Sequence, residues 1–431
     1  MRTRSTNFSP LRHRGFRLLI IGQLASNVGD LFYAVALPWY VLANHGGALL
    51  LGTVLAAYGI PRTALLAVSG HLADRWRPWN VMLAADVLRV AGTAALAIAA
   101  YAGPASTLLL VPIAIVLGAG EGLFLPSSFS IVPSLLPDED LQAGNALTSG
   151  GTQLATLLGP ALGGAVVALV GPACAFAVDA VSFLVSVLAL VGVRRGQRTS
   201  ASPASASPAE VAAKGDEPLS APTTLRTMFR TERVLQVILV VSITANLGSG
   251  GMGEVALPAL VHGPLHDGAS GYGMLIAAFG GGALAGTIIA GRATQIRRPA
   301  VVASWAFLVQ SVALAAIPYV GGTLAAGVAL VIFGLLNSFA NVITITVFQR
   351  WAPPAMLGRL MGVLMLASFG LFPLSVLAAG FVVAHAGASL FFPLAGAALG
   401  LAVLGGLTQR PWREFGARDD EGRAPLAEAT A

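Results

Sequence analysis

"RTSASPASASPAEVAAKGDEP", Arg198–Pro218, decides how this chain is divided. Rich in Ser, Ala and Pro and poor in large apolar side chains, it cannot bury enough surface to fold by itself. The chain around it has the opposite character. Of 431 residues, 56% are hydrophobic and 10% charged, and the mean hydropathy is +0.78. That composition excludes a soluble domain of ordinary surface. Apolar runs of the roughly 20 residues needed to cross a hydrocarbon core of about 30 Å recur on both sides. Twelve are predicted, at 17–42, 49–73, 81–102, 107–131, 146–170 and 173–193 before the polar stretch, and at 234–262, 270–291, 299–320, 323–348, 360–385 and 388–408 after it. No segment at the N-terminus has the layout of a cleavable signal, because the first apolar run is too long and no small-residue cleavage site follows it.

The positive charges orient these spans. Arg2, Arg4, Arg12, Arg14 and Arg17 precede the first span. Arg75 and Arg77 follow the second, and Arg194, Arg195, Arg198, Lys214, Arg226, Arg230 and Arg233 follow the sixth. Arg292, Arg297 and Arg298 follow the eighth, Arg350 and Arg359 the tenth, and Arg410, Arg413, Arg418 and Arg423 the twelfth. The alternate loops hold no Lys or Arg. The positive-inside rule then places both termini in the cytoplasm of a multi-pass protein of the cell membrane. The formal charge of +6 is topology and calls for no nucleic-acid partner. The expected organisation is an N-terminal six-helix bundle over 1–193, a cytoplasmic linker over 194–233, a C-terminal six-helix bundle over 234–409 and a cytoplasmic tail over 410–431.

The halves echo each other. "VALPWYVLANHG" at Val35 is similar to "VALPALVHGPL" at Val255, an offset of 220, and "GTVLAAYG" at Gly52 to "GMLIAAFG" at Gly273, an offset of 221. Gly70, Arg77 and Pro78 are echoed by Gly291, Arg298 and Pro299. Repeats in the same orientation predict an all-α membrane protein of two pseudo-symmetric six-helix bundles about an axis along the membrane normal, with a cavity between them.

Between the second and third spans stands "GHLADRWRPWN", Gly70–Asn80. With the six-plus-six layout, its G-x-L-A-D-R resembles the loop signature of the major facilitator superfamily, although Arg77, Pro78 and Trp79 stand where Gly and two basic residues are usual. Leu136–Ser186 and "ADVLRVAG" at Ala85 resemble a drug and siderophore exporter subgroup that includes macrolide and enterobactin exporters. Gly159, Pro160, Gly163 and Gly164 are similar to the exporter motif G-P-x-x-G-G. The resemblance covers nearly the whole chain and implies the major facilitator fold and a gate at Gly70, Asp74 and Arg75. A carboxylate at Asp74 suits the cap of a neighbouring helix N-terminus and an Arg fork; the alternative is a solvated turn. Pro160 removes a backbone donor, and the glycines allow close helix approach, for conformational change or for packing alone.

Charges inside spans each cost at least about 2.5–3.5 kcal/mol at a bilayer centre unless paired or facing a wet cavity. Asp30, on one helix face with Ser26 and Asn27, joins Glu121 and Glu254 as candidate proton carriers. A buried pair with Arg62 is the structural alternative for these acids. Asp86 and Arg89, at i and i+3, are read as a structural ion pair, and Asp179 as structural. Asn27, Arg62, Gln153, Asn246, Asn337 and Asn341 are candidate contacts for a substrate in the cavity, or for neighbouring helices.

Catalytic readings fail on context. Gly248, Gly250 and Gly253 spell G-x-G-x-x-G inside a span, where helix unwinding or close packing explains them better than a nucleotide. Lys214 is the only lysine, and no Walker sequence surrounds it. His262, His266 and Asp267 read as solvated loop residues, and the single Cys174 has no internal disulfide partner. No metal, cofactor or enzymatic activity is expected. The expected function is a monomeric secondary transporter taking protons and an amphipathic small molecule such as an antibiotic or siderophore. The alternatives are a narrow exporter of one endogenous product and a non-transporting membrane scaffold or receptor.

Overall fold

Backbone polar groups in hydrocarbon must be satisfied within the chain. Among its described residues, the computed structural model meets this requirement with helices alone. It describes residues 9–76, 78–197, 231–293, 296–352, 360, 363, 364, 366, 367 and 370–417. Side chains at 67–76, at 194–197 and at scattered positions from 126 to 157 lie outside that description, as do most of the predicted linker and tail, 198–230 and 418–431.

The first half contains α1 (Arg14–Ala43), α2 (Gly47–Trp76), α3 (Pro78–Ala102), α4 (Thr107–Ile131), α5 (Asp138–Val170) and α6 (Pro172–Gln197). The second contains α7 (Arg233–Gly251, continued by a π turn over Met252–Ala256 and a last segment Leu257–His262), α8 (Ala269–Arg292), α9 (Pro299–Ala316), α10 (Thr323–Trp351), α11 (Phe372–Ala386) and α12 (Ala388–Thr408), followed by a short α13 (Arg410–Glu414). Ten of these carry long membrane-crossing stretches, and α5 and α11 contribute shorter apolar segments, Leu158–Val170 and Phe372–Ala386. The result is the expected twelve-helix membrane fold. Leu188, Val312 and Leu401 are 63%, 68% and 70% exposed, an apolar surface suited to lipid.

The helices form two compact units. One joins α1–α6 to residues 250–277 and 372–391; the other takes the described residues of α7 up to Ser249, of 278–371 and from Phe392 onward. The first unit thus takes in α11 and parts of α7, α8 and α12 as well as the sequence's first half. Two glycine crossings show why. Gly52 of α2 meets Gly380 of α11, where a Cβ on Gly52 would stand 2.6 Å from the Val376 carbonyl. Gly164 of α5 meets Gly273 of α8, where a Cβ on Gly164 would stand 2.8 Å from the Ala269 carbonyl. Only glycine permits backbones this close. Gly52 and Gly273 are repeat counterparts. So are Gly164 and Gly380, which open the matching stretches "GAVVALVG" (Gly164–Gly171) and "GFVVAHAG" (Gly380–Gly387). The two crossings are one contact made twice. Gly171 and Gly387 close these stretches with φ of 86° and 84°, so each helix pair is joined by a single residue in a conformation that suits glycine.

The end of the first unit where 44–46, 103–106, 171, 263–268 and 387 link its helices is here termed distal. There the Trp39 ring of α1 meets His262 of α7 edge-on, with centroids 5.3 Å apart. Elsewhere in this unit a 3-10 turn, Ser9–Arg12, leads into α1. Ser9 Oγ donates to the Asp140 carboxylate, whose other oxygen lies 3.0 Å from His13 Nε2. The Ser9 hydroxyl, with His13 beside it, holds the Asp140 carboxyl below the usual carboxylate range. Phe16, Met82, Phe124 and Leu190 fill one core of this unit. In the second unit Trp412 and Phe415, beyond α12, join a core with Leu235, Phe348 and Leu360.

Candidate functional site

The membrane-embedded charges meet in the first unit. On α1, Ser26 Oγ donates to the Gln23 carbonyl, Asn27 Nδ2 donates to Thr152 Oγ1 of α5 at 3.1 Å, and Asp30 reaches α3. Arg89 Nη2 donates to both Asp30 oxygens, at 2.7 and 2.9 Å. The Asp30 side chain is 41% exposed and that of Arg89 only 6%. Phe183 supports the guanidinium face at 3.9 Å from its ring centroid, with Phe124 at 5.4 Å. Arg89 Nη1 also stands 3.7 Å from Asp86 Oδ1. Within this charged trio, the hydrogen-bonded partner of Arg89 is therefore Asp30, on another helix. Asp86 Oδ2 accepts from Ser186 Oγ of α6 at 2.6 Å.

A second pair lies between α2 and α4. Arg62 Nη2 stands 3.1 Å from Glu121 Oε1, with side chains 21% and 23% exposed. Backbone contact positions it, because Gly118 rests on the Tyr58 carbonyl and a Cβ on Gly122 would stand 2.6 Å from the Arg62 carbonyl. Glu254 lies in the π turn of α7, within electrostatic reach of Arg62. That turn falls at the end of the glycine-rich stretch of α7 and just before Pro258, which lacks a backbone donor. Its irregular backbone is still bonded: Tyr272 donates its hydroxyl to the Gly253 carbonyl at 3.0 Å, and the Gly251 N–H donates to Ser375 Oγ at 2.6 Å. Asp179, 1% exposed, accepts a contact from Ser182 Oγ at 3.4 Å and faces Gly29 of α1.

Sequence reading did not single out Tyr33. It lies one turn beyond Asp30, its ring 6.3 Å from Tyr58 and 6.1 Å from Phe176, within electrostatic reach of Asp30, Glu121, Asp179 and Glu254. Its i+3 spacing from Asp30 was the available signal. Of the exporter motif, Gly159 and Gly163 rest on Leu31 and Phe32 of α1, while Gly164 makes the α8 crossing beside Pro160. The side chains of Gly70, Asp74, Arg75 and Gln153 lie outside the described residues.

The second unit holds a different site. A cavity of about 210 Å³ is lined by Asn246 of α7, Phe279 of α8, Phe307 of α9, and Asn337, Asn341 and Thr344 of α10, with Trp412 at its wall. None of its lining side chains is charged. Asn341 Nδ2 donates to Asn337 Oδ1 at 3.0 Å, and Asn246 Nδ2 to the Ser242 carbonyl at 2.8 Å. Trp412 Nε1 donates to Ser304 Oγ at 2.9 Å. The Thr344 hydroxyl is buried with no hydrogen-bond partner. Trp412 was not foreseen, because it stands beyond the last span. The first site can bind charge and exchange protons; the second can hydrogen-bond an uncharged group.

Comparison with known proteins identifies the family. The profile of the transmembrane secretion effector family matches residues 5–430. The multidrug efflux pump Tap of Mycobacterium tuberculosis is 29% identical over 185 residues, 41% of this chain and 43% of Tap, so the match spans less than half of that relative. The enterobactin exporter EntS of Citrobacter koseri is 25% identical over 365 residues, 83% of this chain and 82% of its own. A solved POT peptide transporter is 17% identical, with a TM-score of 0.69 over 93% of this chain and 95% of its own. A bacterial homologue of the iron transporter ferroportin, solved in an inward-facing state, has the same identity and score over 91% and 97%. Identity this low shows a shared fold only. Since the family profile runs through both halves, the chain belongs to the transmembrane secretion effector family of the major facilitator superfamily, and is a multi-pass membrane transporter rather than an enzyme.

Proposed function

We propose that this protein works by alternating access, coupling inward movement of protons to export of amphipathic small molecules, antibiotics or siderophores among them. One observation carries the reading: Asp30 is a partly exposed intramembrane carboxylate held by a buried arginine. A proton or cationic substrate can reach such a group from one side, and a change in its charge is passed through Arg89 to the packing of α3, α4 and α6. Glu121 and Glu254, gathered around Arg62, add two acids on the same side of the molecule's chemistry. Asn246, Asn337 and Asn341 supply neutral contacts for cargo, with Asn27 and Arg62 at the charged site.

The similarity to the multidrug efflux pump Tap and the enterobactin exporter EntS supports the outward direction. In this reading both termini are cytoplasmic, the glycine crossings close the extracellular side, and Gly70, Asp74 and Arg75 gate the cytoplasmic side. One copy is the transporting unit.

The test uses purified protein in liposomes under an imposed pH gradient that can be reversed, with ethidium, a macrolide and a catecholate siderophore as probes. Probe movement opposite to the proton gradient, reversing when the gradient is reversed, is the expected result. Movement indifferent to the gradient for every transported probe would overturn proton coupling.

A further inference from the structure

Asp86 is fully buried, and one of its two oxygens is orphaned. Oδ2 accepts from Ser186, whereas Oδ1 has no hydrogen-bond partner and lies 3.7 Å from Arg89 Nη1. A buried carboxylate oxygen without a donor is costly, so its persistence needs a reason. Arg89 meanwhile gives both of its close hydrogen bonds to Asp30, through a single nitrogen. We propose that Arg89 is a two-position switch, on Asp30 when that carboxylate is charged and on Asp86 Oδ1 when it is neutralised. The role of Asp86 is positioning: it receives the arginine. The proposal rests on the coupling role given above to Asp30.

The movement is short. When Asp30 takes a proton from a hydronium ion, an O–H bond of that ion breaks to leave water, one forms on the Asp30 carboxyl, and the charge-assisted bonds from Arg89 weaken. Arg89, 6% exposed, has little water to turn to, and leaving a buried cation unpaired is unfavourable. Closing 3.7 Å to a normal contact requires a shift of about 1 Å, and the Phe183 and Phe124 rings offer the guanidinium a surface to slide over. The other charged groups facing this region are Arg62 from α2, Glu121 from α4 and Asp179 from α6, with Glu254 beyond them from α7. A simple scaffolding role for the Asp86–Arg89 pair is disfavoured by the repeat: 221 residues later the same positions of α9 hold Phe307 and Gln310, and that helix folds without either charge.

The deciding experiment is a structure of the full chain carrying Asp30→Asn, a mimic of the neutral acid. Arg89 is expected to sit about 2.8 Å from Asp86 Oδ1. Arg89 remaining near 3.7 Å from it, or turned elsewhere, would overturn the switch. A second variant, Asp30→Ala, removes that carboxylate altogether, and Arg89 is again expected within about 3 Å of Asp86 Oδ1. Arg89 held away from Asp86 in both variants would also sink the proposal. If one variant does not fold, the structure of the other decides. Arg89 found on Asp86 in either structure, with gradient-driven transport unchanged, would retain the switch and remove Asp30 from proton coupling.

Discussion

In the first half of the chain Arg62, Asp86, Arg89 and Glu121 occupy positions that in the second half hold Ala283, Phe307, Gln310 and Asn337, 221 residues on for α8 and α9 and 216 for α10. The framework between these positions is retained. Gly118 rests on the Tyr58 carbonyl, and its counterpart Gly334 rests on the carbonyl of Phe279, the counterpart of Tyr58. The halves therefore keep the residues that let backbones touch and differ in those that carry charge. Asn337 and Phe307 line the amide-rich cavity. Gln310 is fully buried, with neither amide atom partnered, at the place where Arg89 makes its ion pairs. At these four positions the first half places charge and the second places neutral side chains in the same frame, while Glu254 is an acid that the second half adds where the first has Ala34.

The sharpest test of that division is Asp30→Asn, which should lower gradient-driven probe uptake about 100-fold while leaving equilibrium binding of the same probe within a few-fold. A similar loss of binding would place Asp30 in cargo recognition instead. Next come the glycine crossings. Gly52→Leu and Gly273→Leu should each destabilise the protein by about 1–3 kcal/mol or more, read as loss of thermal stability in detergent. The two losses should be alike if the crossings are equivalent; one mild and one severe would break that symmetry.

Glu121→Gln leaves Arg62 without its ion pair. Because both side chains are about one-fifth exposed, the cost should be about 1–2 kcal/mol rather than that of a fully buried pair. Asn337→Gln, the neutral change at the counterpart, should cost less and act mainly on transport of uncharged probes. Thr344→Val replaces an unpartnered buried hydroxyl by a methyl, so stability should hold or rise by about 0.5 kcal/mol. Its expected effect is a KM several-fold higher for any cargo that hydrogen-bonds there.

The smallest effect belongs to Asp140→Asn, which should speed amide hydrogen exchange in residues 9–16 several-fold. In the unaltered chain the Asp140 carboxyl is held low by Ser9 and His13. Its stabilising contribution is therefore present above the unfolded carboxylate value of about 3.9 and is lost only as pH falls through the lower folded value. Hydrogen exchange measured down a pH series checks the order of those events.

Length and apolarity place twelve spans in the sequence because hydrocarbon thickness imposes both. The embedded acids and arginines are visible there for the same reason, since each is costly. Partner choice is harder to read. The i, i+3 spacing of Asp86 and Arg89 places them side by side, yet the shorter contact from Arg89 runs across to α1, a distance set by helix packing. Tyr33 gives no hydropathic sign of its place near four carboxylates, and Trp412 lies beyond the last apolar run. The grouping of α11 and of the start of α8 with the first unit depends on pairs of glycines 328 and 109 residues apart, Gly52 with Gly380 and Gly164 with Gly273, contacts that local pattern does not contain.

One turn of α7 has a mechanical consequence. A residue added to an α-helix advances its phase by about 100°, and the π turn at Met252–Ala256 does so in the middle of a span. Before it, Ser242, Asn246 and Ser249 line the neutral cavity; within it, Glu254 stands in reach of Arg62. The inserted residue therefore re-aims Glu254, setting it on a face of the span that an unbroken α-helix would have given to its neighbour.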